Sequence, residues 1–567
     1  MIANLPPGLL MIVGAALIPC LSRRAQSSAV LLLCLASFGL FLLLPEGENW
    51  RFTWLGVELT LVRIDTLSRI FGIVFHLAVI LSSIYALHVR DTRQHTSALV
   101  YAGAAIGACC AKDLLTLFVY WELTAISSVF LVWASDSERS FRSGMRYLII
   151  QVSSGVLLLS GAIVHLLQSG NVQFESFVVA GQPLSLAGML ILLAVGIKCA
   201  FPLLHNWLQD AYPEATPTGT VVLSAFTTKL AVYALIRGFS GYDLLVPIGC
   251  IMTLFPIVFA VIENDLRRVL AYSLNNQLGF MVVGVGIGTE LAINGAVAHA
   301  FCHIIYKSLL FMSMGAVLYR VGTTKATELG GLHKSMPWTT IFCLIGAGAI
   351  SGFPLLSGFV SKSMILTAAA EEHHFLVWIV LLIASAGVME HSGIKIPFFA
   401  FFAHDSGKRV PEAPWNMLTA MAIAALFCIG LGVAYPLLYR MLPFEVDYHP
   451  FTVTHVVTQL QLLTFALLAF VALVKSGLYP DEVRSTNLDT DWFYRRLAPA
   501  VVNGLRMTYR TVNDTFRSDV ITIVDGAMKQ TKATFNDKGL FGGTWSTSVM
   551  TFLATVLLAV CLILYYL

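Results

Sequence analysis

Charge is scarce in this chain. Asp, Glu, Lys and Arg together supply 12% of its 567 residues, against roughly 25% in an average soluble protein. Hydrophobic residues supply 57%. Water cannot solvate so apolar a surface, so the shortage of charge excludes a string of soluble domains and demands lipid as the solvent. The net charge of +3 is too small to point to a nucleic-acid partner. None of the ten cysteines forms a CxxC, and all lie in or beside apolar runs, which argues against iron–sulfur and zinc sites. No cofactor is expected. The start, MIANLPPGLL, lacks both a basic segment and a small-residue cleavage site, so no signal peptide is expected either.

What the chain does have is long apolar runs. They fall near 8–22, 28–45, 69–89, 95–111, 113–134, 146–168, 184–208 and 216–238, then near 243–262, 268–288, 293–319, 338–368, 375–403, 413–436, 456–476 and 547–567. The fold class is therefore an all-α polytopic membrane protein with about sixteen transmembrane helices. One set of alternate loops carries fourteen Arg and Lys and the other set six. By the positive-inside rule the N-terminus faces out and the polar stretch 477–546 faces the cytoplasm. Within that stretch Leu505, Tyr509, Val512, Phe516, Val520, Ile523 and Ala527 step by four or three. That spacing predicts an amphipathic helix of about 35 residues and roughly 50 Å. It is too polar to span, and either lies on headgroups or braces a neighbouring protein surface.

Phe201-Pro202-Leu203-Leu204 returns 152 residues later as Phe353-Pro354-Leu355-Leu356. Each proline interrupts an apolar run, and in lipid the freed carbonyls must be satisfied by protein or water. Paired interruptions in matching halves point to a site near the membrane midplane. Five spans separate them, so the two halves are inverted. Ionisable groups also sit inside the runs: Glu122, Lys198, Lys229, His299, His303, Lys307, Lys362, Glu390, His391 and Lys395. A lysine at mid-bilayer costs about 2.5–3.5 kcal/mol. Snorkelling can excuse Glu390 or His391, but not Glu122, Lys198, Lys229 or Lys307. Structural pairing and an ion or proton path are the two readings, and the number of such groups favours the path. His299, His303 and Lys307 share one helix face and climb about 12 Å. Two histidines at this spacing suit a metal, but no third ligand is evident. The run Gly284-Val285-Gly286-Ile287-Gly288 has no strand before it and suits close helix packing rather than a dinucleotide.

Several longer segments carry a resemblance. They are DLLTLFVYWELTAISSVFLVW (113–133), GIKCAFPLLHNWLQDAYPEATPT (196–218), ENDLRRVLAYSLNNQLGF (263–280), AHAFCHIIYKSLLF (298–311) and GFPLLSGFVSK (352–362). Over roughly residues 60–435 the chain resembles the antiporter-like subunits shared by respiratory complex I, membrane-bound hydrogenases and Mrp cation/proton antiporters. The resemblance implies fourteen core helices with two inverted five-helix repeats, each holding a broken helix. It implies a proton pathway through Glu122 and Lys198, then Lys229, the central His299, His303 and Lys307, and Lys362. GIKIPFFAFF (393–402) is similar to a stretch in the D-type member of Mrp antiporters, which puts the exit lysine at Lys395. The tail is similar to the lateral-helix tail of the distal complex I subunit, which favours the brace.

The implied divisions are N-terminal helices 1–94, a first repeat 95–240, a second repeat 241–403, C-terminal core helices 404–476, the amphipathic stretch 477–546 and a terminal anchor 547–567. Three functions stay open. One is the proton-translocating subunit of a multisubunit Na+/H+ antiporter. Another is a proton-pumping arm of a quinone- or hydrogenase-linked complex, which would make the assembly an enzyme. The third is a proton-coupled subunit of an inorganic-carbon uptake complex with a carbonic-anhydrase-like partner. A scaffold that moves nothing is disfavoured by the intact charged line. In each function the partners are other membrane subunits, the cargo is protons with or without Na+, and the location is a bacterial inner membrane.

Overall fold

The computed structural model describes residues 5–54, 56–480, 482–483, 487–539 and 542–567. All sixteen apolar runs form helix, continuous or interrupted. Among the described residues eleven helices are long and apolar enough to cross a membrane by length and composition, and three shorter apolar helices accompany them. Asp65, Asp113, Ser137 and Asp265 start helices by accepting hydrogen bonds from first-turn amides, which supplies partners for groups a helix leaves open. Gly170, Gly288 and Gly322 end helices in the left-handed region, a conformation glycine adopts without strain.

The chain forms two compact units, Met1–Asp489 and Thr490–Leu567. At the centre of the first runs helix Glu290–Val321. It packs on Ser357–Glu371, Leu266–Ile287, Pro217–Ala225, Pro337–Ser351 and Trp415–Val433, and 94% of its most apolar stretch is buried. The segment Pro217–Phe239 is wholly buried over its apolar window. These two elements carry His299, His303, Lys307 and Lys229, so neighbouring helices shield their polar side chains from lipid. Gly286 confirms the packing reading of its glycine run: a Cβ there would lie 2.7 Å from the Val246 amide nitrogen.

The two Phe-Pro-Leu-Leu segments are built alike. Helix Leu186–Cys199 stops before the first, and helix Pro337–Ser351 before the second. The Phe201 amide donates to the Gly196 carbonyl at 2.9 Å, and the Phe353 amide to Gly348 at 3.0 Å. The Leu204 amide reaches Phe201, as that of Leu356 reaches Phe353. Leu203 and Leu355 both stand at φ 71°, a conformation costly for a side chain bearing Cβ. One unusual backbone path, with the same hydrogen bonds 152 residues apart, marks an internal repeat rather than a chance tetrapeptide.

One feature adds to the all-helical reading. Gly47–Trp54 and Val57–Ile64 form an antiparallel hairpin with Gly47 opposite Ile64 and Trp54 opposite Val57. Thr, Val and aromatic residues alternate here, which suits strands, and Gly56 turns the chain at φ 79°. Leu59, Val62 and Ile64 are buried, and the Thr60 amide donates to Asp113 at 3.1 Å, tying the hairpin to a helix start.

The second unit holds helix Ala498–Phe535, 38 residues long, and helix Thr547–Tyr566. The first contains the whole apolar stripe read from the sequence. Residues 477–480, 482–483 and 487–489 belong to the first unit rather than to this tail.

Candidate functional site

Glu122 lies on helix Leu114–Trp133 and Lys198 on the last turn before the first break. The Lys198 ammonium donates to the Trp121 carbonyl at 2.6 Å and to Thr124 Oγ1 at 2.8 Å. It stands 4.4 Å from the centre of the Trp121 ring, a cation–π distance. Glu122 acts on it through space, but the two do not form a contact ion pair among the described residues. Glu122 Oε1 is buried without a protein hydrogen bond. Its carboxylate occupies the room left by Gly155, where a Cβ would collide with it.

The other predicted lysines are equally enclosed. Lys229 donates to the Ser224 carbonyl at 2.7 Å, beside the kink at Phe226 that separates Pro217–Ala225 from Thr227–Phe239. Cys199, next to Lys198, lies within electrostatic reach of Lys229. Lys229 in turn is within reach of His299, His303 and Lys307. His299 bridges Ser361 Oγ at 3.1 Å and Gln277 Oε1 at 3.2 Å, and the Tyr306 hydroxyl donates to the same Gln277 oxygen at 3.1 Å. The His299 and His303 rings lie 6.1 Å apart, nearly parallel. Both ring nitrogens of His303 and the Lys307 ammonium are buried without a hydrogen bond among the described residues. Lys362 reaches back across the second break to the Ile350 carbonyl at 3.1 Å. In the first break the Trp207 indole does the equivalent work on Ile197 at 2.9 Å. Pro202 and Pro354 sit inside the two breaks and remove an amide each.

Lys395 ends the line. His391 lies within electrostatic reach of Lys307, Lys362 and Lys395. The Lys395 ammonium donates to the carbonyls of Ala260, Val261 and Glu263, which cap helix Leu245–Ile262 at its open end. It also meets Glu482 Oε1 at 2.9 Å.

Lys198, Lys229, His299, His303, Lys307, Lys362, His391 and Lys395 are all buried in the interior, with Lys362 beside His299. Of these, only Lys395 has a carboxylate within ion-pair distance among the described residues. Sequence reasoning missed Gln277, Tyr306 and Ser361, which link His299 to its neighbours. It also missed Glu482, His205 and Asp489. His205 Nε2 lies 3.2 Å from Asp489 Oδ2, the Tyr272 hydroxyl donates to the same oxygen at 2.9 Å, and Asn206 donates to the other. Burial pushes the Asp489 carboxyl up, but these donors more than offset it and hold it well below the ordinary carboxylate value. His205 follows the first break directly and was legible as a candidate; Asp489 and Glu482 lie in a polar connector with no periodicity to read. Among the described residues no cluster of three or more His, Cys, Asp or Glu is arranged to hold a metal.

These features define a class: a multi-pass helical membrane protein with two matching helix breaks and a set of buried basic side chains in its interior. Residues 111–387 match the family model described as NADH:quinone oxidoreductase/Mrp antiporter, transmembrane. The chain is 28% identical over 423 residues to hydrogenase-4 component B of Escherichia coli, covering 66% of this chain and 62% of that protein. It is 30% identical over 312 residues to the D component of the Na(+)/H(+) antiporter of Alkalihalophilus pseudofirmus, covering 52% and 63%. It superposes on a chain of the Mrp complex from Dietzia sp. with a TM-score of 0.76 at 24% identity, covering 93% of this chain and 62% of that one, which shows the shared fold. The chain spans about three fifths of the length of these curated relatives.

Proposed function

We propose that this chain carries protons across a bacterial inner membrane as the antiporter-like subunit of a multisubunit cation/proton antiporter. One observation carries the reading. Lys198, Lys229, Lys307 and Lys362 are wholly or almost wholly buried, yet no carboxylate contacts them among the described residues. A permanently charged, unpaired ammonium in such surroundings is strongly disfavoured, so each of these amines is suited to gain and lose a proton. The unpartnered nitrogens of His303 and Lys307 need water to complete their hydrogen bonds, and that water would connect sites too far apart for direct transfer. Protons pass from the Glu122–Lys198 end through Lys229 and the central histidines to Lys307, Lys362, His391 and Lys395. The two helix breaks leave backbone free to shift as charges move. Arg23, Arg90, Arg139 and Arg268 all fall in the more basic set of loops, which supports an outside N-terminus and a cytoplasmic helix Ala498–Phe535.

The likeness to hydrogenase-4 component B favours a second reading, in which electron transfer elsewhere in a complex drives the same path. Inverted membrane vesicles separate the two. With a pH gradient set by respiration and followed by a pH-sensitive dye, adding Na+ should collapse the gradient in vesicles holding the assembled complex and not in vesicles lacking this chain. Proton movement that ignores Na+ and instead requires an electron donor to the complex would replace the antiporter reading with the redox one.

A further inference from the structure

Glu482 belongs to the connector that follows helix Val453–Ser476, outside both repeats. Its side chain is 8% exposed, and neither carboxylate oxygen has a hydrogen bond of good geometry. Its ionic partner is Lys395, 2.9 Å away. The connector is pinned on both sides of it. The Tyr479 hydroxyl donates to Glu390 Oε1 at 2.7 Å. Asn487 donates to the Ile262 carbonyl at 3.0 Å, and Arg268 donates to the Asn487 carbonyl at 3.2 Å. Described residues before and after Glu482 thus contact the same region as Lys395.

We propose that Glu482 is the terminal relay carboxylate of the pathway, taking the proton that Lys395 releases and passing it to water at this end of the protein. The inference rests on the proton-path reading above. In the step, a Lys395 N–H bond breaks and a Glu482 O–H bond forms, leaving a neutral amine and a carboxylic acid. The acid then loses its proton to water, and Lys395 is recharged from the His391 side. Three carbonyls already hold the Lys395 ammonium, so the amine stays in place through the cycle. The other ionisable groups facing the pair are Glu390, Glu263, Tyr479 and His391, with Arg268 3.6 Å from Glu263. Glu390 is held by Tyr479, and Glu263 Oε1 by its own following amides, which leaves Glu482 the carboxylate in contact with the amine. Burial raises the Glu482 carboxyl even with Lys395 beside it, which brings proton affinities of acid and amine closer.

The test uses the whole complex in sealed vesicles, with transport expressed per assembled complex. Glu482→Gln is expected to lower proton transport about tenfold or more, Glu482→Asp to restore much of it with a shifted pH profile, and Lys395→Met to add no further loss to Glu482→Gln. Normal transport in Glu482→Gln while Lys395→Met and Lys307→Met are both inactive would overturn the relay role and leave the pathway standing. Normal transport in all three would overturn both. If Glu482→Gln lowers assembly, infrared difference spectra after a pH jump decide the matter with wild type and Glu482→Asp. A carboxylic C=O band that moves in the Asp variant is expected, and superimposable spectra would refute the proposal.

Discussion

At the scale of single residues, the side chains that matter are those whose burial no partner offsets. A structural ion pair and a proton path compete at each of them, and Glu122 with Lys198 is the sharpest case. The structure places Lys198 on the Trp121 carbonyl and Thr124 hydroxyl, not on the Glu122 carboxylate, so the carboxylate tunes the amine from a distance. Such an arrangement can switch, because a small displacement of Glu122 changes the field at Lys198 without breaking a bidentate bond. Glu122→Gln should leave a folded, assembled protein with transport reduced about tenfold or more, and Lys198→Ala should do no extra damage on top of it, as expected for groups acting in one step. Losses that multiply independently would show two unconnected roles. The eight residues of the expected pathway, Glu122, Lys198, Lys229, His299, His303, Lys307, Lys362 and Lys395, were legible because a charged letter in an apolar run is conspicuous. Their hydrogen-bond partners were not, since Gln277, Ser361 and Tyr306 are ordinary polar residues until folding sets them around His299.

At the scale of elements, the two broken helices could be read from four letters, because a proline deep in an apolar run interrupts the helix ladder whatever surrounds it. That the breaks share the φ 71° conformation at Leu203 and Leu355 could not be read, since leucine gives no hint of a left-handed backbone. The hairpin Gly47–Trp54 with Val57–Ile64 was hidden for a different reason: it lies between apolar runs, where a search for spans does not look. The connector before residue 490 reads in sequence as part of a polar tail, yet Asp489 reaches into the first break. Because its folded carboxyl sits below the ordinary value, its contribution to holding the connector is present above about pH 4, the unfolded value, and is lost as pH falls through the lower folded value. Hydrogen-exchange protection of residues 487–489, measured against intrinsic rates at the same pH, should therefore fall on strong acidification in wild type. In Asp489→Asn it should be low already at neutral pH. Equal protection in both proteins at neutral pH would show that the carboxylate holds nothing.

At the scale of the whole molecule, a deficit of charge set the membrane class, and the few charges left in the interior carry the proposed function. Central helix Glu290–Val321 is where these meet: it is nearly all buried, it carries three basic groups on one face, and two of them have no hydrogen-bond partner among the described residues. Loop charges predict an orientation, and long motifs in one order carry the resemblance to a family whose model residues 111–387 match. The kind of complex was not legible, because the chain is similar both to a hydrogenase component and to an antiporter component. The central claim is that this line conducts protons. Its most direct test is proton flux in sealed vesicles carrying the assembled complex with Lys307→Met, a change that keeps the bulk of the side chain and removes its titrating group. The account predicts a complex present at wild-type level with flux at the background of vesicles lacking it; flux equal to wild type at equal assembly would contradict it.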